Sequence, residues 1–225
     1  MLLAIDTASR SLSIALYDGQ QQQILAEQTW HTANQHSVEL PPAVHHLLKR
    51  AGVQPHQLSA VGVAQGPGSF TGLRIGIGVA KGLAMALNIP LMPVMTLDIV
   101  AVGTPHFDGV LVAIVQAGRG RINYGHYHWQ GGEWRLVGEL HNAAWEQMIA
   151  QIGSTPIVVN GEVDAAGEAL LKASGKTIEL LPPAYRLRRA SFLAQKAWAD
   201  FQMGQLTPAA EVMPIYLQTA GGAAT

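Results

Sequence analysis

The residues best placed to do chemistry are Asp6 and the stretch Gly66-Pro67-Gly68-Ser69-Phe70-Thr71-Gly72. That stretch joins an apolar run of strand type, Val61 to Ala64, to a segment in which Leu73, Ile77, Ala80, Ala84 and Leu87 recur with helical spacing. A strand, a glycine loop and a helix in this order present unpaired backbone N–H groups at the helix start, where an anion or polar partner can be held without a charged side chain. The loop resembles a phosphate cradle. It is not a Walker A motif, because neither Lys-Ser nor Lys-Thr follows its last glycine, and it is not a dinucleotide fingerprint.

The sequence supplies no catalytic set to go with the loop. Ser9, Ser11, Ser13 and Ser69 lack a G-x-S-x-G setting, and no acid and base can be assigned to them, which also removes a serine-protease reading. Glu162 and Asp164 stand two apart at an expected helix start, where acids are favoured in any case. His31, His36, His45 and His46 contain no H-E-x-x-H arrangement, and the adjacent pair cannot share a helix face, so no metal site is expected. Arg186, Arg188 and Arg189 form the one tight basic group and read as a solvated helix start.

Stepping outward, Leu2 to Thr7, Leu12 to Tyr17 and Ile24 to Trp30 are expected strands, with Asp18-Gly19 marking a hairpin turn. Asp6 ends the first of them, either as a turn-capping carboxylate or as an acid facing a ligand. His31 to Gly52 carries two helical stripes: Leu40, Val44, Leu47 and Ala51 would pack on a sheet, while Val38, Pro41, His45 and Leu48 would be free to meet a partner helix. On the glycine helix, Gly72 and Gly76 lie on one side, as do Gly78 and Gly82. Close packing would offset the roughly 1 kcal/mol that each interior glycine costs relative to alanine, and a chemical role is the alternative.

Beyond Ile89 to Pro93, another strand, the turn-rich segment Gly103 to Gly109 is the expected domain boundary, since strand, turn and strand begin again at Val110 to Val115 and Ile122 to Trp129. Further strands are expected over Trp134 to Glu139 and Ile157 to Val159. Helices are expected over Ala143 to Ile152, Val163 to Ala173 and Ser191 to Met203, the last with Phe192, Ala199 and Met203 among its apolar positions. Asn160-Gly161 forms a strand-to-helix turn, where a ligand could approach the backbone or a plain turn would suffice. Pro208 and Pro214 punctuate an extended tail, and Gln218 to Thr225 is expected to be disordered.

A length of 225 residues with 48% hydrophobic and 13% charged residues describes a globular chain with a substantial core. The net charge of −1 supplies no general basic field for tight binding to nucleic acid by this chain alone. The absence of cysteine removes disulfides, thiolate nucleophiles and cysteine-ligated metals. Asp6 comes too early for a signal peptide and no uncharged apolar run reaches membrane-spanning length, so a cytoplasmic protein with no membrane partner is expected.

The pattern GPGSFTGLRIGIGVAKGLA, with AIDTAS ahead of it and PIYL near the end, resembles the bacterial TsaB (YeaZ) family, strongly over residues 2 to 98 and more weakly beyond. That family makes threonylcarbamoyladenosine in tRNA together with a catalytic paralogue, TsaD, and a P-loop ATPase, TsaE. The resemblance implies an α/β, two-lobed actin-like ATPase (ribonuclease H-like) fold, each lobe a mixed sheet with helices, divided here as residues 1–103 and 104–225. The metal motif of the catalytic paralogue, V-N-H-x-x-G-H, falls on Val94 to Val100, where Thr96 and Val100 replace the two histidines. The acid that relatives carry after the first strand of the second lobe is replaced by Gln116.

The resemblance therefore implies a non-catalytic subunit that pairs with a TsaD-like enzyme and works with a TsaE-like ATPase, reaching tRNA only through the complex and forming a homodimer when alone. The expected contact surface is the helix Ser37 to Arg50 with the glycine helix, through Val38, His45, Leu48, Arg74, Ile77 and Lys81. No intrinsic cofactor is expected, with ATP or ADP admitted in the complex. The alternative is an autonomous nucleotide-dependent enzyme, in which Asp6, Gly66, Gly68, Ser69 and Gly161 would surround the phosphates.

Overall fold

The computed structural model describes residues 1–33 and 35–217, so the tail from Gln218 to Thr225 lies outside the described residues. Two sheets of five strands form the framework. The first contains β1 (Leu2–Asp6), β2 (Ser11–Asp18), β3 (Gln23–His31), β4 (Ala60–Gly66) and β5 (Leu91–Met95), in the order β3-β2-β1-β4-β5. The second contains β6 (Val110–Gly118), β7 (Arg121–Gln130), β8 (Glu133–Ala144), β9 (Ile157–Gly161) and β10 (Ile178–Leu180), in the order β10-β9-β6-β7-β8.

The two sheets share one topology. In each, the first strand pairs antiparallel with the second and parallel with the fourth, and the fifth strand adds parallel to the fourth. This is the actin-like α/β fold that the resemblance implies. β1 and β6 hold corresponding central positions, so Asp6 at the end of β1 and Gln116 near the end of β6 stand at matching places in the two halves.

The central strands read as continuous apolar runs because helices cover both faces. On one face of the first sheet, Leu3, Ile5, Ile14 and Leu16 meet α1 (His36–Ala51) and α2 (Phe70–Leu87). On the other, Leu2, Ala4, Ala15 and Met92 meet Leu193, Ala194, Ala197 and Trp198 of a late helix, α7 (Ala190–Gln202). The second sheet packs Val112, Ile114 and Tyr124 against α4 (Trp145–Gln151) and α5 (Ala165–Ala173), and Leu111, Ala113 and Val115 against α3 (Thr96–Val102). A one-turn helix, α6 (Pro183–Arg186), leads into α7. α3 and α7 touch each other, so each fills the side of its sheet that faces the other sheet.

A division at residue 103 places α7 with the second half by sequence, yet in space the chain from Ala190 onward returns to the first sheet. The return is locked at the start of α7, where the Ala190 N–H donates to Ser13 Oγ at 2.8 Å and the Ser191 N–H to Glu27 at 2.9 Å, supplying partners for otherwise unpaired helix donors. The buried stripe of α7 is Leu193, Ala194, Ala197 and Trp198; Ala199 and Met203, expected among its apolar positions, are exposed. α3 and β10 were not read from sequence. β10 has three residues, too short for periodicity to register, and α3 is a seven-residue segment that is apolar apart from Thr96 and Asp98.

The glycines of α2 divide into two kinds. A Cβ on Gly72 would lie 2.1 Å from the Thr7 carbonyl oxygen, and one on Gly76 would lie 2.1 Å from Thr7 Oγ1, whose hydroxyl donates to the Gly72 carbonyl at 2.7 Å. These two glycines let the helix lie directly on the end of β1. A Cβ on Gly78 or Gly82 would meet nothing within 4 Å among the described residues. α2 has the length and mean hydropathy to cross a membrane, but it carries Arg74 and Lys81 and lays Leu73, Ile77, Ala80 and Ala84 against the sheet.

The two kinds of glycine make opposite expectations. Gly76→Ala should lower unfolding free energy by about 1–3 kcal/mol through overpacking. Gly78→Ala should raise it by up to about 1 kcal/mol through helix propensity alone. Urea unfolding of both variants checks this, and equal effects would show that close packing at Thr7 does not govern this helix.

Candidate functional site

The turn after β1, the glycine loop after β4, the turn after β6 and the segment after β9 converge where the two sheets meet. At the centre of this cleft is Arg188. Its side chain is 1% exposed, and its Nε donates to Asp6 Oδ2 at 2.5 Å while Nη2 donates to Asp6 Oδ1 at 3.2 Å. Nη2 also reaches Ser9 Oγ at 3.1 Å, and Nη1 donates to Glu162 Oε1 at 2.6 Å.

Asp6 belongs to the first sheet and Glu162 follows the last residue of β9 in the second, so one guanidinium ties the two halves together. Each carboxylate is held from behind by backbone. The Ala8 N–H donates to Asp6 Oδ1 at 2.9 Å, and the Gln116 N–H donates to Glu162 Oε2 at 3.0 Å. Burial works against the charge of Arg188, but the carboxylates of Asp6 and Glu162 outweigh it and hold the guanidinium above its usual pKa. Arg188 therefore stays charged at any ordinary pH.

Sequence reasoning took Arg188 for a solvated residue and Glu162 for a helix-start acid, and both are corrected by the structure. Arg188 lies 182 residues from Asp6, and no local pattern marks it. The neighbouring acid behaves as expected: Asp164 is the N-cap of α5 and accepts from the Gly167 N–H at 2.7 Å. Arg189 is exposed, whereas Arg186 reaches back to the Val163 carbonyl and to Glu168.

The residues expected around a nucleotide have other partners. Asp6 is 1% exposed and spends both oxygens on Arg188. The Ser69 N–H donates to the Ala8 carbonyl at 2.7 Å, and the Ser69 hydroxyl accepts from the Gly72 N–H as the N-cap of α2. A Cβ on Gly68 would lie 2.3 Å from the Ala8 carbonyl, and one on Gly66 would lie 2.3 Å from the Ile215 carbonyl. Gly161 has φ +109°, and a Cβ there would lie 2.1 Å from the Ile114 carbonyl. The glycine pattern is thus accounted for by backbone running against backbone. Against the clamp lie two adjoining hollows of about 330 and 600 Å³, which share Ser9, Arg10, Gln116 and Asp164, the smaller also lined by Glu162 and Arg188.

The expected contact residues also divide. Val38, His45 and Arg74 are exposed on α1 and α2, with Arg74 lying 4.0 Å over the Phe70 ring. Lys81 donates to the Ala210 carbonyl at 3.0 Å and is tied to the chain's own tail. Leu48 and Ile77 are 6% and 4% exposed and belong to the core, so neither is free to meet a partner. Leu48 fails because α1 buries a stripe wider than Leu40, Val44 and Leu47. The exposed residues of the helix pair include Val38, Pro41 and His45 on α1 and Gly78, Gly82 and Met85 on α2.

A family model described as TsaD, tRNA N6-adenosine threonylcarbamoyltransferase, matches residues 23–200. A Bacillus subtilis (strain 168) protein described as tRNA threonylcarbamoyladenosine biosynthesis protein TsaB is 39% identical over 153 residues, 67% of this chain and 66% of that protein. The chain belongs to the TsaB (YeaZ) family. An Escherichia coli (strain K12) protein of the same description is 29% identical over 228 residues, covering 96% of this chain and 94% of its own. The solved structure of YeaZ from Pseudomonas aeruginosa has a TM-score of 0.81 at 28% identity, covering 96% of this chain and 99% of that one.

In this TsaB-family chain, Thr96 and Val100, the residues that the resemblance sets against the metal histidines, are 0% and 4% exposed. The clamp engages Asp6, one of the residues that the alternative reading set around the phosphates. Arg188→Met would leave Asp6 and Glu162 without their cation, and a loss of about 3–5 kcal/mol in unfolding free energy is expected. Arg189→Met, one residue on and exposed, should stay within about 0.5 kcal/mol of the parent. Comparable losses in the two variants under denaturant unfolding would remove the clamp from its central role.

Proposed function

We propose that the chain is a non-catalytic subunit for threonylcarbamoyl transfer to adenosine in tRNA. In this reading it pairs with a TsaD-like catalytic subunit, works with a TsaE-like P-loop ATPase and meets tRNA only through the assembly. In isolation it forms a homodimer through the same surface, and it acts in the cytoplasm. The division into a 1–103 lobe that carries the contact helices and a 104–225 remainder belongs to the same reading, with α7 returning to brace the first sheet.

The observation that carries the proposal is the pairing of a filled cleft with an open helix face. Arg188 neutralises the acid that a nucleotide enzyme of this fold would turn toward metal and phosphate. Meanwhile α1 and α2 pack against each other and leave exposed Val38, at 69%, on the first, and Met85, at 67%, with Gly78 and Gly82 on the second. An interior glycine costs helix stability. Among the described residues nothing lies within 4 Å of a Cβ at either outer glycine, and bare backbone lets another helix approach closely.

The test is light scattering after size-exclusion chromatography of the chain alone and mixed with its cognate TsaD-like protein, using Gly78→Gln/Gly82→Gln. Because both positions have free space in the chain itself, the variant should melt at the same temperature or higher while its complex weakens at least tenfold. An unchanged complex would refute this surface. Titration calorimetry with magnesium-ATP separates the other reading: saturable binding by the isolated chain, lost in Ser69→Ala, would favour an autonomous nucleotide enzyme.

A further inference from the structure

The hairpin joining β7 to β8 is built by Trp129-Gln130-Gly131-Gly132-Glu133-Trp134. Gly131 and Gly132 both have positive φ, +63° and +88°, as a two-residue turn of this hand requires. The turn sets Trp129 and Trp134 directly opposite each other across the ladder. Their rings stand 5.4 Å apart at 76°, forming a corner of two indoles. Each ring is propped by a neighbour, Trp129 by His106 at 4.6 Å and Trp134 by Phe107 at 4.6 Å, and the Trp134 indole N–H is fixed on the Thr104 carbonyl at 3.0 Å.

The corner forms part of a cavity of about 480 Å³ between the hairpin, α3 and α7. Asp98 of α3 also lines it. One oxygen of Asp98 accepts from the Tyr127 hydroxyl at 2.7 Å, and no ion pair involves Asp98 among the described residues. The cations lining the cavity are already engaged: Arg135 pairs with Glu133 at 2.9 Å and Lys196 with Asp200 at 2.6 Å. Burial raises the pKa of Asp98, more than the Tyr127 hydrogen bond and the nearby Lys196 charge lower it, and the charges of Asp200 and Glu133 add to the rise.

We propose that this cavity binds an alkylguanidinium group, the head of an arginine side chain or of a free guanidine, stacked in the Trp129–Trp134 corner and charge-paired with Asp98. A guanidinium is flat and weakly hydrated and stacks on aromatic faces, while its N–H groups seek a carboxylate oxygen. The site is separate from the Arg188 clamp and from the outer face of α1 and α2, and it does not depend on the role proposed above.

The experiment is an NMR titration of the full-length protein labelled with ¹⁵N, following the indole N–H signals of its five tryptophans, assigned by single Trp→Phe variants. Butylguanidinium should shift Trp129 and Trp134 saturably and leave Trp30, Trp145 and Trp198 in place. Butylurea, its neutral isostere, should not saturate. Asp98→Asn, which keeps an oxygen for Tyr127, should weaken butylguanidinium at least tenfold, and Trp129→Leu should weaken it similarly while the fold persists at that partly exposed position.

N-acetylarginine methylamide distinguishes the sources. Binding several-fold tighter than butylguanidinium points to an arginine of a polypeptide, and equal binding points to the head group alone. Equal shifts with butylurea, or undiminished binding by Asp98→Asn, would overturn the proposal.

Discussion

The structure depends on one buried guanidinium between two carboxylates. Removing Asp6, Glu162 and Arg188 from water carries a large desolvation cost, which is offset only when the charges meet with good geometry and their remaining lone pairs are satisfied. Both conditions hold: four donations leave Arg188, and the Ala8 and Gln116 N–H groups complete the carboxylates. Because the carboxylates belong to different sheets, the same atoms that satisfy the charge also set how the sheets meet. A cleft closed in this way cannot offer Asp6 to a second cation without giving up the first.

The surrounding architecture follows from that closure. α7 must return from the second sheet to the first for Arg188 to sit beside Asp6, and the Ser13 and Glu27 contacts at its first turn secure the return. The glycine loop serves packing in the same way. Its bare positions let backbone lie on Ala8 and Ile215, and Gly72 and Gly76 let α2 rest on Thr7. With the inner side of α2 committed to the sheet, Gly78 and Gly82 are left on its exposed side.

Much of the fold was legible along the chain. The strand, loop and helix around residues 61–87, the three opening strands and the repetition of strand and turn after residue 110 all came from periodicity and turn chemistry, and the structure holds them with boundaries moved by a few residues. The pairing of Gly72 with Gly76 as a packing face was readable too. Spacing alone did not separate them from Gly78 and Gly82, since both pairs repeat every four residues and the difference lies in what stands opposite. The same limit misassigned Leu48 and Ile77 to an outer surface, because a stripe identifies a face and not its occupant.

The sequence by itself determined the local elements, the lack of thiol chemistry and the family, because each depends on residue type and on neighbours within a few positions. The tertiary structure alone decided that Arg188 is a buried strut and that Asp6 faces it. It also decided that Trp129, Trp134 and Asp98, distant in sequence, line one cavity. The physical reason is that a charge pair separated by 182 residues leaves no periodic trace. Its energy depends on the dielectric and geometry created when two sheets close on each other, and neither exists until the chain has folded.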